Sequence, residues 1–264
     1  PGVPLIDVEI AADTGDAVTL SFRQGRFGLD QASQQPLVWH VPVIAGSVPD
    51  GKRLASIVTS GLGPLQLDVA GVQPVKINLG QGAYYRSKYS AASFGQLAKV
   101  FDELTPGDQL GMLYDIWALG EAGGMPISAY LDLSRQITAK AHTVLWSQVI
   151  ETFLSIDGLY WGLGGKAAFE KHAARILGEA FGRVGWDRRS GEPDNDAVLR
   201  EQLIWALGRL GDVSVVGEAR KRFANFLAYP DDPASLPSAI RQPVLRVVGL
   251  TADDARYDQL YALA

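Results

Sequence analysis

A chain of 264 residues that is 47% hydrophobic and 9% aromatic can fill one large core or two ordinary ones, and two is the better reading. A net charge of −5 at pH 7 and a pI near 5.2 argue against a nucleic-acid partner, which would call for a basic face. The absence of cysteine excludes disulfides, thiolate metal ligands and a cysteine nucleophile. No apolar run approaches the roughly 18 residues of a membrane span, and no basic-then-apolar leader opens the chain, so a soluble protein of cytoplasm or periplasm is expected, without a membrane partner.

The first third alternates with the period of strands. Ile6, Val8 and Ile10 face away from Asp7 and Glu9, and Val18, Leu20 and Phe22 face away from Thr19, Ser21 and Arg23. Asp13-Thr14-Gly15-Asp16 between them supplies turn residues for a hairpin. Trp39, Val41 and Val43, then Leu65, Leu67 and Val69, then Val75, Ile77 and Leu79 mark later strands. Turn signals at Pro49-Asp50-Gly51, Gly61-Leu62-Gly63-Pro64 and Gly71-Val72-Gln73-Pro74 separate them. Roughly seven short strands at this spacing predict an antiparallel β-sandwich over residues 1–89.

After Tyr89 the period becomes helical, starting with Phe94, Leu97, Phe101 and Leu104. Thr105 reads as an N-cap, with Pro106 at the first helical position and Asp108 three residues after the cap; this helix stops at Gly123-Gly124. Further helices are predicted over 127–140, 143–156, 165–183, 195–210, 213–228 and 253–263, so residues 90–264 form an α-helical domain. Ile116-Trp-Ala-Leu-Gly120 recurs as Ile204-Trp-Ala-Leu-Gly208, 88 residues later (204 − 116). Half that offset lies within the ~40 to 47 residues of HEAT and armadillo helix pairs, which predicts a right-handed superhelical array with a concave wall, although two amphipathic helices can share five letters by coincidence.

Little in the chain reads as chemistry. A zinc peptidase needs two histidines one helical turn apart with a carboxylate between them, and His40, His142 and His172 are too scattered for that. His40 reads as a strand residue on the wet or inter-sheet side, His142 as a loop residue before a helix, and His172 as part of a solvated helix face. No nucleophile elbow occurs. Gly162-Leu-Gly-Gly-Lys166 has the wrong spacing for a phosphate loop and reads as the loop leading into a helix, and Asp194-Asn195-Asp196 reads as helix capping. Asp231-Asp232 and Asp253-Asp254 read as turn and cap residues. No catalytic, cofactor-binding or metal-binding residue is assigned. The one cation singled out is Arg86, whose fork is expected to pair bidentately with a carboxylate of the helical half, or else to touch substrate.

Several segments, taken in order, carry a resemblance: Pro1-Gly2-Val3-Pro4, Gln24-Gly25-Arg26-Phe27, Trp39-His40-Val41-Pro42-Val43, Lys76-Ile-Asn-Leu-Gly-Gln-Gly-Ala-Tyr-Tyr-Arg-Ser-Lys-Tyr89, Asp115-Ile-Trp-Ala-Leu-Gly-Glu-Ala-Gly123, Ala180-Phe-Gly-Arg-Val-Gly-Trp186 and Leu199-Arg-Glu-Gln-Leu203. Together they resemble the C-terminal region, sandwich then helices, of zinc aminopeptidases of the aminopeptidase N type. The resemblance implies a noncatalytic part that caps an active site built upstream and helps gate and bind peptide substrates. Its implied partners are that upstream catalytic domain and peptides, with zinc held in the catalytic domain and none here. Pro1-Gly2 does not read as a natural start, so any targeting signal would belong to the parent protein. The competing expectation is a freestanding helical scaffold that binds peptides or proteins. A hydrolase built from scattered acids is a third.

Overall fold

The computed structural model describes residues 2–48, 51–70 and 74–263. The turn signals at Pro49-Asp50 and Gly71-Val72-Gln73, and Pro1 of the first motif, lie outside the described residues. By their internal contacts the residues fall into two compact units, Pro1–Ile137 and Thr138–Ala264. The switch from strand to helix comes earlier, at Tyr89.

In the first unit, β1 (Val3–Asp13), β2 (Ala17–Phe27), β5 (Leu65–Ala70) and β7 (Arg86–Tyr89) form a four-stranded sheet in the order β5-β2-β1-β7. The three remaining strands, β3 (Val41–Ser47), β4 (Arg53–Thr59) and β6 (Val75–Ile77), make a second sheet in the order β4-β3-β6. The hairpin between β1 and β2 turns where expected: Gly15 takes φ 86°, and its N–H donates to Asp13 Oδ1 at 2.9 Å. Ile6, Val8, Val18, Leu20 and Phe22 of the first sheet are buried, as are Val41, Val43, Ala45, Val75 and Ile77 of the second. Period-two alternation thus fills the space between the sheets. Gln24 helps to bridge them: it donates to Trp39 O and Thr59 Oγ1, both at 3.0 Å, and accepts from Trp39 N at 2.6 Å.

The sheets are not antiparallel throughout. β7 lies parallel to β1, with Leu5 opposite Arg86 and Val8 opposite Tyr89. The reason is connectivity, because β7 enters the first sheet from β6 in the second, and a strand that crosses over is free of the hairpin's reversal of direction. Leu79 is no strand residue either; it starts a single 3-10 turn, Leu79–Gln81.

Nine α-helices lie among the described residues. The first unit holds α1 (Ala91–Lys99), α2 (Pro106–Glu121) and α3 (Ser128–Ser134), with α1 and α2 packed on β7. Thr105 caps α2 as its sequence predicts, accepting from Asp108 N at 3.2 Å. α3 ends six residues short of the expected 140 (140 − 134), where the Ser134 hydroxyl turns back to bond Leu131 O at 2.8 Å. The second unit holds α4 (Thr143–Leu159), α5 (Lys166–Val184), α6 (Asp194–Arg209), α7 (Val213–Ala228), α8 (Ser238–Leu250) and α9 (Asp254–Tyr261). At its centre is α6, which packs against α4, α5, α7 and α8.

Sequence reasoning missed α8, because Pro243 sits inside it. Proline removes the N–H that would bond the carbonyl of Ala239, but Ala239 is exposed, so water can serve that carbonyl while the Pro243 ring is buried. The Ile-Trp-Ala-Leu-Gly repeat copies a helix ending. In α2, Gly123 N bonds Gly120 O and Gly124 N bonds Leu119 O; in α6, Gly211 N bonds Gly208 O and Asp212 N bonds Leu207 O. Both terminal positions, Gly123 (φ 69°) and Gly211 (φ 75°), are left-handed, as helix exits of this kind require. The five shared letters therefore encode one local structure twice.

Candidate functional site

The densest cluster of buried charge lies where Lys76–Tyr89 carries the chain from one sheet to the other. Its backbone is unusual: Asn78 and Gln81 both have φ 54°, a region that asparagine tolerates and glutamine rarely visits. Asn78 fixes the loop with its own amide, donating to Ala83 O at 3.0 Å and accepting from Ala83 N at 3.1 Å. The Gln81 side chain lies against Gly111 of α2 so closely that a Cβ there would come within 2.2 Å of it.

Lys76 and Asp108 are each 2% exposed and pair at 2.9 Å. The other Lys76 protons go to Ile77 O at 3.0 Å and Asn78 O at 3.4 Å. Asp108 also accepts from Gly80 N and from the Thr105 hydroxyl, both at 2.9 Å. Two turns further along α2, Asp115 accepts from Ser87 N at 3.0 Å and from Arg86 at 3.3 Å. Tyr89 closes the circuit, its hydroxyl accepting from Ile77 N at 3.0 Å and donating to Ile77 O at 3.4 Å. One helix thus holds β6 and β7, hence both sheets, through two carboxylates seven residues apart.

Burial sets the electrostatics. It pushes the Lys76 ammonium below its ordinary range, against the opposing pull of Asp108, and pushes the Asp115 carboxyl up, against its bonds to Ser87 and Arg86. Burial drives the Tyr85 and Tyr89 phenols well above their ordinary value, so both stay neutral. The cavity touching Lys76, Ser87, Tyr89, Met112 and Asp115 measures about 10 Å³, the room of a single water. No substrate fits there, and the cluster serves as a lock.

Arg86, the predicted contact, is 32% exposed. One guanidinium N–H reaches Asp115, not the two-pronged fork expected, because the group also lies over the Phe27 ring at 5.8 Å. Lys76, Asp108 and Asp115 escaped sequence reasoning as a set, although Val75-Lys76-Ile77 carried a signal: a lysine between two strand residues of a buried run needs a partner.

A second lock sits in the helical unit. Arg200, 1% exposed, forms a two-pronged pair with Glu192 at 2.8 and 2.6 Å and donates to Val184 O and Gly185 O, both at 3.0 Å, capping the end of α5. Those Arg200 hydrogen bonds hold the Glu192 carboxyl down to about 2. Asp157 of α4 meets Lys166 of α5 and Arg209 of α6, while Lys166 also reaches Glu170 at 2.9 Å.

The histidines stay apart. His40 lies exposed just ahead of β3, not within the strand. His142 is the N-cap of α4, accepting from Val144 N at 3.3 Å, and His172 lies beside the Phe153 ring at 6.4 Å. Asp194 and Asp196 do not cap α6 with their side chains; they sit in its first turn, paired with Arg188 and Arg183. Among the described residues no three histidine, aspartate or glutamate side chains are placed to hold a metal.

Comparison with known proteins places this architecture. Residues 74–264 match the family model described as the ERAP1-like C-terminal domain. Aminopeptidase M1-A of Oryza sativa subsp. japonica is 31% identical over 175 residues, 64% of this chain and 20% of the relative. Aminopeptidase M1-B of the same plant is 25% identical over 98% of this chain and 31% of its own length. Aminopeptidase N of Lactococcus lactis subsp. cremoris is 22% identical over 99% of this chain and 30% of its own length. The chain thus spans between a fifth and a third of these curated relatives. With most of its length matched, this chain belongs to the ERAP1-like C-terminal domain family.

Proposed function

We propose that this chain is the noncatalytic C-terminal part of a zinc-dependent aminopeptidase, covering an active site carried by another part of the polypeptide and helping to gate and bind peptide substrates. The observation that carries this reading is the family match over residues 74–264, shared with relatives that are named aminopeptidases and are three to five times longer than the matched segment. Zinc and the catalytic residues belong, in this reading, to the remaining polypeptide. Residues 1–89 act as a sandwich spacer and residues 90–264 as a HEAT- or armadillo-like right-handed superhelical cap. Arg86 takes part by fixing the sheet to α2 through Asp115, and its exposed third leaves it within reach of substrate. Enclosure by such a cap excludes folded proteins and favours short peptides.

The test is to assay the catalytic part with and without this chain against a ladder of peptide lengths. A preference for short peptides that appears only in its presence supports the cap. An unchanged length profile refutes it.

A further inference from the structure

The turn between α4 and α5 is apolar and exposed. From Gly158 to Gly165 it reads Gly-Leu-Tyr-Trp-Gly-Leu-Gly-Gly, with no charge in eight residues. Leu159 is 69% exposed, Trp161 83% and Leu163 61%. Yet the turn is not loose. Trp161 N bonds Gly158 O at 3.2 Å and Leu163 N bonds Tyr160 O at 3.0 Å, with Gly162 and Gly165 in left-handed conformations. Its base is clamped by Lys166 to Asp157 and by Asp157 to Arg209, and Tyr160 stacks on Phe169 with centroids 5.7 Å apart and planes 4° from parallel. A rigid base thus presents a tryptophan and two leucines to the outside.

Such a tip has the chemistry of an interface anchor. Tryptophan is enriched among residues that dominate binding energy, and a preordered tip loses little entropy when it docks. A lipid surface is the poorer occupant, since membrane-seeking segments set free cations beside their apolar residues, whereas Lys166 and Arg209, the cations at this base, are held by Asp157 and Glu170. What suits the tip is another protein surface, and the relative has further chain to supply one: the 175 matched residues make up only 20% of rice aminopeptidase M1-A.

We infer that Trp161, flanked by Leu159 and Leu163, is a docking knob that seats in an apolar pocket of the polypeptide lying N-terminal to this chain. The inference rests on the proposed function for the existence of that partner. The experiment places the photo-crosslinking residue p-benzoylphenylalanine at position 161 of the full-length polypeptide, with the same residue at exposed position 257 as the comparison, and maps the crosslinks by mass spectrometry. Crosslinks from position 161 to the N-terminal polypeptide, absent from position 257, are expected. A second, independent variant, Trp161→Ser with Leu163→Ser, is expected to raise the rate of limited proteolysis between the two parts at least tenfold. Crosslinks only within this chain, only to a second copy or to added lipid vesicles, or none at all, overturn the knob. A full-length polypeptide that hydrolyses aminoacyl substrates yet gives no such crosslink refutes the knob alone, whereas one without that activity refutes the functional reading whatever position 161 contacts.

Discussion

Replacing Asp108 by asparagine tests the lock between the sheets and α2 most directly. The substitution keeps the shape of the side chain and removes the counter-charge of an ammonium that is 2% exposed. Breaking a buried pair from one side costs about 3 to 5 kcal/mol, because the surviving charge stays in a dry site. The low end applies here, since Lys76 keeps Ile77 O and Asn78 O, and the new amide oxygen can still accept from Gly80 N. A loss of about 3 kcal/mol corresponds to more than a hundredfold in the opening equilibrium. Hydrogen exchange of the β1 and β7 amides reads that equilibrium, and Asp108→Asn should speed it by that factor. Adding Lys76→Met removes the stranded charge, so the double variant should exchange more slowly than the single one. Acceleration below tenfold, or a double variant no slower than Asp108→Asn, would refute the claim that charge pairing in a sealed site holds this junction.

Other perturbations have equally defined outcomes. Glu192, held at about 2 in the fold against 4.5 ordinarily, contributes stability that is present above pH 4.5 and lost as pH falls toward 2, so Glu192→Gln should flatten acid unfolding of α5 and α6 over that window in a circular-dichroism titration. Asp115 has the opposite sign: its carboxyl is raised above 3.8, the folded chain keeps a proton that the unfolded chain releases, and its contribution weakens as pH rises through that range. Asp115→Asn should remove that slope from the same titration. Arg86→Ala takes one donor from a buried carboxylate and should lower stability by about 1 to 3 kcal/mol, read as a lower thermal midpoint; an unchanged midpoint refutes the clamp. Gly208→Ala would put a Cβ 2.3 Å from Val247 Cγ2, so overpacking between α6 and α8 should cost about 1 to 3 kcal/mol, seen as a shifted urea midpoint at constant slope.

Periodicity made most elements legible, because Ile6, Val8, Leu20 and Phe22 must share one face of a strand and Leu199, Leu203 and Leu207 one stripe of a helix. It was blind where tertiary packing overrides local preference. Pro243 hides α8, Ser134 shortens α3, and β7 runs parallel to β1 because of where the crossover begins. The lock around Lys76 was illegible for a related reason. Its partners Asp108 and Asp115 lie 32 and 39 residues away (108 − 76 and 115 − 76), and no local spacing announces a pairing over that distance.

The segments that carried the family resemblance prove to be partners of one another. Gln24 of Gln24-Gly25-Arg26-Phe27 bonds Trp39, the first residue of Trp39-His40-Val41-Pro42-Val43. Arg86 and Ser87, in Lys76–Tyr89, bond Asp115, which opens Asp115-Ile-Trp-Ala-Leu-Gly-Glu-Ala-Gly123. Arg200, from Leu199-Arg-Glu-Gln-Leu203, bonds the carbonyls of Val184 and Gly185 in Ala180-Phe-Gly-Arg-Val-Gly-Trp186. In each pair a buried polar side chain from one motif satisfies a backbone or side-chain group of the other, and neither half is stable in a dry interior without its counterpart. The recognisable letters therefore include locks that hold one motif to another. The exposed Trp161 turn, clamped at its base by Asp157, is the place where mutation should separate docking from folding: loss of Trp161 should weaken docking and spare folding, whereas loss of the buried Arg200 should weaken folding first.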